Sequence, residues 1–221
     1  ARQMLREVMD IRRSISNLSG EVMGVLNMGT SHHIGLRRLP PLLQKYSQRF
    51  PQVKLDIRFM DSESACAAVE QGDLELAVVT LPPDPSAHLA LQEVWPDPLC
   101  FVVGQGHPLA KVRSAQLAQL ADYPAVLAAR GTYTREILEQ AMQPMDLAIQ
   151  ISMTTNYLET LKMLTSIGLG WSLLPETMTL DGDLAVLDIQ GLRLNRSLGI
   201  VTHRQRSLSN AAREMIAICG Q

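Results

Sequence analysis

Strand and helix alternate along this chain in short order, and that alternation restricts it to an α/β fold more firmly than composition does. The stretch from Gly24 to Pro51 sets the pattern. Val25-Leu26-Asn27-Met28 is a short apolar run suited to a buried strand, and Gly29-Thr30-Ser31-His32-His33 breaks it with small polar residues. Leu36, Leu39, Leu42, Leu43, Tyr46 and Phe50 then recur at steps of three or four, which predicts one helix over Gly35–Arg49. Thr30 and Ser31 stand where an N-cap is wanted, just past a strand. Open α/β sheets take their ligands at such places.

The pattern continues. Val53–Phe59 alternates apolar and charged residues as a strand, Ser62–Gln71 reads as a short helix closed by Gly72, and Leu74–Val79 is strand again. This βαβαβ order predicts a mostly parallel sheet. Two strand-like pieces, Leu89–Trp95 and Leu99–Val103, lead to a break at Gly104-Gln105-Gly106-His107-Pro108. A second unit then repeats the logic: Ser114 as cap of a helical turn, a strand at Pro124–Ala129, and a helix at Arg135–Gln143. Next come a strand at Leu147–Met153, a helix at Asn156–Ile167 with Met163 on its apolar side, and a buried strand at Trp171–Leu174. Strand Leu194–Thr202 and helix Ser207–Cys219 close the chain. Ahead of all this, Met4, Val8, Ile11 and Ile15 mark a helical seam within residues 2–19, suited to a partner helix.

The chain has 221 residues, 46% hydrophobic and 19% charged, with a net charge of −2. That is the profile of a globular protein without the basic footprint of a nucleic-acid grip. No apolar run reaches the roughly 18 residues of a membrane helix, and no signal-peptide core follows Ala1. Cys66, Cys100 and Cys219 are widely spaced and read as free thiols in a reducing, cytoplasmic setting. No nucleophile elbow, phosphate loop or dinucleotide fingerprint is present. His32-His33 diverge from each other and have no spaced partner for a metal, so a place in solvent or at a rim is expected for both. His107, before Pro108, reads as a turn residue. No catalytic residue, metal or cofactor is expected.

Small hydroxyl side chains remain: Thr30, Ser31, Ser62, Thr132, Thr134, Thr154 and Thr155. Each lies past a strand or at a helix start, so each can be an ordinary cap or a ligand contact. Together they form neutral donors on both units, suited to a small anion or polar metabolite. Read that way, replacing Ser31 or Thr132 with valine should weaken binding and spare the fold.

Several phrases then join into a family likeness. They are Leu39-Pro40-Pro41-Leu42-Leu43, Arg49-Phe50-Pro51-Gln52-Val53, Gly72-Asp73-Leu74-Glu75-Leu76-Ala77-Val78, Val102-Val103-Gly104-Gln105-Gly106-His107-Pro108-Leu109-Ala110 and Ile167-Gly168-Leu169-Gly170-Trp171-Ser172-Leu173-Leu174-Pro175. In this order the chain resembles the effector-binding domain of LysR-type transcriptional regulators from Leu18 to its end. The resemblance implies a type 2 periplasmic-binding-protein-like fold, in which two α/β subdomains are joined by two crossover segments and preceded by a linker helix. It would divide the chain into a linker helix at 1–19, subdomain I at 20–103 with 195–221, and subdomain II at 104–194.

The resemblance further implies a small-molecule effector in the inter-subdomain cleft. Thr30, Ser31, His32 and Ser62 would touch it from one side, and Gly131, Thr132, Tyr133, Thr134 and Thr154 from the other. The bulky His32-His33 pair departs from the family's first ligand turn. It also implies DNA binding through an N-terminal winged helix-turn-helix outside this sequence, a homodimer or homotetramer, and no membrane. A periplasmic solute-binding protein of the same fold is the alternative, and an enzyme using Ser31 with His32 or His33 comes third.

Overall fold

The structure is a computed structural model that describes residues 20–145 and 148–220. The helical seam expected within residues 2–19 lies outside the described residues. The chain forms two compact units, one taking it up to Trp95 and again from Leu198, the other comprising Pro96–Ser197.

In the first unit, β1 (Gly24–Thr30) pairs in parallel with β2 (Val53–Phe59) from Gly24↔Val53 to Thr30↔Phe59, and with β3 (Leu76–Thr80). The returning strand β9 (Leu194–His203) pairs antiparallel with β3. The core gathers Leu26, Met28, Leu76 and Val78 from the strands against Tyr46 and, from the last helix, Ala212, Met215 and Ile218. Gly29 permits this packing at one point, because a Cβ there would meet Leu74 Cδ1 at 2.6 Å and Ala65 Cβ at 3.3 Å. Fully buried Tyr46 donates its hydroxyl to the Ala211 carbonyl at 2.8 Å. Burial, reinforced by Glu214 and Glu75, pushes that phenol up to about 12.

The single helix predicted over Gly35–Arg49 is two: α1 (His32–Arg37) and α2 (Pro40–Arg49). Pro40 and Pro41 supply no N–H to a preceding turn, so they start a helix where periodicity alone ran through. Helix α3 (Ser62–Gln71) ends as expected at Gly72, whose φ of 82° is the left-handed cap conformation.

In the second unit, the Leu99–Gly104 end of β4 (Leu89–Gly104) pairs antiparallel with β7 (Ser172–Pro175) and β8 (Leu184–Leu187), while β5 (Ala125–Leu127) pairs in parallel with β6 (Ile151–Thr154). Its helices are α4 (Tyr133–Met142) and α5 (Leu158–Ser166), and α6 (Asn210–Cys219) belongs to the first unit. The two strand-like pieces read at 89–95 and 99–103 are one strand, since the extended backbone of β4 accommodates Pro96 and Pro98 without a helix to break. Strand β8 went unread. On α5, Leu158 and Leu161 are buried but Met163 is 47% exposed, because two helical steps rotate it roughly 200° from Leu161. Trp171 is fully buried at the centre of this unit and donates its indole N–H to the Leu120 carbonyl at 2.9 Å.

Ser114 does not cap the turn that follows it. Its hydroxyl donates to Asp188 Oδ2 at 3.1 Å, while Gln116 takes the cap position of the 3-10 turn Leu117–Asp122 and donates its N–H to Gln119 Oε1. His107 is a turn residue, as read: its Nδ1 accepts from the Leu109 N–H at 3.1 Å, capping Pro108–Lys111. Its ring meets Tyr123 edge-on at 4.6 Å. Burial lowers the His107 pKa. The unfolded chain therefore binds the proton more readily, so stability is full at neutral pH and falls as pH drops below the free histidine value of about 6.5. Urea midpoints measured between pH 7.5 and 5 should show this decline, and H107N, which keeps a capping acceptor without a titrating proton, should flatten that part of it.

Candidate effector-contact turns

The candidate residues of the first unit cluster where β1 and β3 end. Thr30 is fully buried and donates its hydroxyl to the Val78 carbonyl at 2.8 Å, so its proton is spent on tying β1 to β3. Ser62, at the start of α3 and 7% exposed, accepts from the Thr80 N–H at 3.1 Å and keeps its own proton to donate. Ser31 occupies the N-cap position of α1 yet makes no side-chain cap bond. Its hydroxyl is half-buried and is not spent on the helix.

The two histidines diverge, but they do not both face solvent. His32 is exposed and packs on Phe59 with ring centroids 5.4 Å apart, whereas His33 is 5% exposed. Consecutive helical residues point roughly 100° apart, and His33 falls on the side of buried Ile34. No group of three metal-ligating side chains occurs among the described residues.

In the second unit Gly131 adopts a φ of 83°, which turns the chain sharply into α4. Thr132 is the N-cap of α4: its hydroxyl accepts from the Arg135 N–H at 3.3 Å and donates to the Ala129 carbonyl at 2.9 Å. Removing such a cap costs about 1 kcal/mol. Valine at Thr132 would thus damage the fold as well as any binding, contrary to the expectation from sequence.

Tyr133 is half-buried beside this cap. Thr134, 8% exposed, accepts from Arg196 Nη1 at 2.9 Å, and Arg196 Nε donates to Asp97 Oδ2 at 2.7 Å. Thr154 is exposed at the end of β6, paired in register with Leu127. Asn156 Oδ1 holds the turn after β5 by accepting from the Ala129 N–H at 3.0 Å.

Thr30 and Ser62 are thus brought together across β3, with Ser31 and His32 next to Thr30 in the chain. Gly131–Thr134 forms one continuous turn, and Thr154 stands at the end of the neighbouring strand. Asp97, Arg196 and Asn156 were missed in the sequence. Arg196 left a signal: in Leu194-Asn195-Arg196-Ser197-Leu198 it shares the buried strand face with two leucines. A charge at such a position needs a partner. Nothing local marks Asp97 or Asn156, whose partners lie far along the chain.

Two α/β units crossed twice by the chain, with hydroxyl-bearing turns after their strands, define a small-molecule-binding module. The chain belongs to the LysR substrate binding domain family, whose model matches residues 19–221. It is the effector-binding domain of a LysR-type transcriptional regulator. Its relatives include the HTH-type transcriptional regulator CbbR of Rhodospirillum rubrum, 27% identical over 98% of this chain and 72% of the relative. YeiE of Escherichia coli strain K12, an uncharacterized HTH-type transcriptional regulator, is 28% identical over 93% of this chain and 71% of its own length.

Among solved structures, the regulatory domain of Synechocystis PCC6803 CcmR in complex with 2-PG superposes with a TM-score of 0.80. Identity is 19%, covering 90% of this chain and 96% of that one. The effector binding domain of QuiR in complex with shikimate gives a TM-score of 0.79 at 18% identity, covering 89% and 95%. These structures carry the periplasmic-binding-protein-like fold. No described helix is long and apolar enough to cross a membrane.

Proposed function

We propose that the turn built around Ser31, His32 and Ser62 in the first unit contacts a small polar or anionic metabolite, and that Gly131–Thr134 and Thr154 are the ligand-contacting turns of the second unit. Its binding governs a cytoplasmic transcription regulator that touches DNA through another part of the protein. The observation that carries this reading is the Ser31 hydroxyl, which occupies a cap position without capping. Ser62 adds a donor, because its oxygen already accepts from Thr80. The occupant of the QuiR structure, shikimate, is a polar carboxylate, and this supports the ligand class. In this reading the role is binding without turnover.

A thermal-shift screen of small carboxylates that includes shikimate tests the proposal. An effector at a hundred times its dissociation constant should stabilise the chain by roughly 2.7 kcal/mol. S31A should abolish most of that gain while its unliganded melt matches the parent, because no cap bond is lost. An effector bound equally well by S31A would place the site elsewhere.

The regulatory domain also self-associates in this reading. Leu36 at 58%, Phe59 at 50% and Val25 at 51% exposure are large apolar groups open on the first unit. Tyr157, Met163 and Ile167 are open on the second. By family resemblance, two such domains lie antiparallel, the first helix of one against the second subdomain of the other. Sedimentation at micromolar concentration should show a dimer or larger species, and L36E should shift it toward monomer.

A further inference from the structure

We infer that Arg196 is a positioning residue for the ligand-contacting turn of the Pro96–Ser197 unit: it holds Thr134 as a hydrogen-bond donor, ready for an acceptor group of the effector such as a carboxylate oxygen. This rests on the effector reading above, and adds which hydroxyl of the turn meets the ligand and with what polarity.

The turn carries two threonine hydroxyls whose bonds differ. That of Thr132 is committed twice, accepting from the Arg135 N–H at 3.3 Å and donating to the Ala129 carbonyl at 2.9 Å. That of Thr134 meets Arg196 Nη1 at 2.9 Å. A guanidinium has donors only, so the Thr134 oxygen accepts in this bond and its own proton is left over. No acceptor among the described residues takes that proton.

Arg196 is itself fixed. Its Nε donates to Asp97 Oδ2 at 2.7 Å, and the two side chains are 5% and 1% exposed. A buried ion pair stabilises a fold little beyond an apolar pair of similar volume. What this pair adds is direction, because Thr134 cannot turn its oxygen away without leaving a buried guanidinium nitrogen unmet.

Space for an acceptor adjoins this hydroxyl. A void of about 10 Å³, lined by Thr134 and Arg135 with Leu127, Ala128, Leu138 and Leu173, lies at the carboxyl end of β5. Ligands of open α/β sheets sit beyond that end of the strands. The void holds about one water, or one oxygen of a larger molecule. An ammonium there would set donor against donor, whereas a carboxylate or phosphate oxygen accepts the Thr134 proton. Ser62 of the other unit has the same polarity, its oxygen taken by the Thr80 N–H at 3.1 Å and its proton left to give.

Shikimate, a carboxylate, is the probe, titrated into the ¹⁵N-labelled 221-residue chain and followed by amide chemical shifts. It should move the amides of residues 131–135. D97L/R196M exchanges the ion pair for apolar side chains and leaves the net charge of the chain unchanged. It should unfold near the parental midpoint yet bind shikimate roughly tenfold more weakly, the worth of one hydrogen bond to a charged group. A purely structural role for Arg196 would move the midpoint and not the affinity. T134V should lose binding to the same extent, and T134S, which keeps the hydroxyl, should restore it.

The inference is overturned if D97L/R196M and T134V bind shikimate as tightly as the parent. If S31A loses affinity in that case, the effector reading stands without it, and if S31A does not, both fall. Unmoved amides at 131–135 by about 10 mM, ten times a millimolar dissociation constant, also overturn it, and the wider carboxylate screen then decides the effector reading separately. Should D97L/R196M fail to fold, parental affinity in T134V overturns it.

Discussion

D97A should destabilise the Pro96–Ser197 unit by about 3–5 kcal/mol, the cost of leaving a buried charge without its partner. Asp97 is fully buried and accepts from Arg196 Nε at 2.7 Å, and Arg196 is itself 7% exposed. The same guanidinium donates to Thr134 through Nη1, so its position also fixes the first turn of α4. Alanine at 97 keeps Arg196 inside with only the neutral Thr134 hydroxyl to meet it. Denaturant unfolding followed by Trp171 fluorescence would report the loss. The double variant D97L/R196M should recover most of it, because an apolar pair of similar volume carries no desolvation cost. If D97A alone unfolds at the parental midpoint, Arg196 has another way to satisfy its charge.

W171A should cost a comparable amount, about 3–5 kcal/mol for a large aromatic removed from a core. Trp171 is fully buried against Phe101, with ring centroids 6.0 Å apart, and it belongs to the cluster that includes Leu120, Leu138 and Ile189. Its indole N–H donates to two carbonyls, Leu120 at 2.9 Å and Tyr123 at 3.2 Å, so truncation empties volume and removes both bonds together. W171F should lose much less, since it keeps most of the ring volume and gives up only the hydrogen bonds. Equal losses in the two variants would mean that hydrogen bonding, rather than volume, dominates there.

These two expectations fall on residues that differ in how openly the sequence displayed them. Trp171 sits in an apolar run after Gly168-Leu169-Gly170, and a buried strand was legible there at once. The parallel pairing of β1 with β2 followed from alternation around a single helix. That single helix was a misreading, because periodicity carries no information about a missing N–H, whereas Pro40-Pro41 does. The hydroxyl turns were legible as positions but not as roles. Thr30 and Thr132 look alike in sequence, yet one ties two strands and the other caps a helix, and Ser31 stands at an N-cap position without making the cap bond. Roles of that kind depend on which carbonyl lies across the sheet, 48 residues away for Thr30. The Asp97–Arg196 pair spans 99 residues, beyond the reach of any local pattern.

The order in which the units are threaded has a consequence for biosynthesis. Pro96–Ser197 is one uninterrupted stretch, while the other unit needs everything from Leu198 onward to be finished. A ribosome adding roughly 5–20 residues each second needs about 5–20 s to make the inserted stretch. Throughout that interval β1, β2 and β3 have been made but β9 and α6 do not yet exist. The edge of β3 that β9 will occupy is open, and an unpaired edge is a template for intermolecular pairing. The strands made before the inserted stretch are thus among the last to reach their final state, and a holdase that shields a nascent strand edge would act on this chain between the emergence of β3 and the arrival of β9.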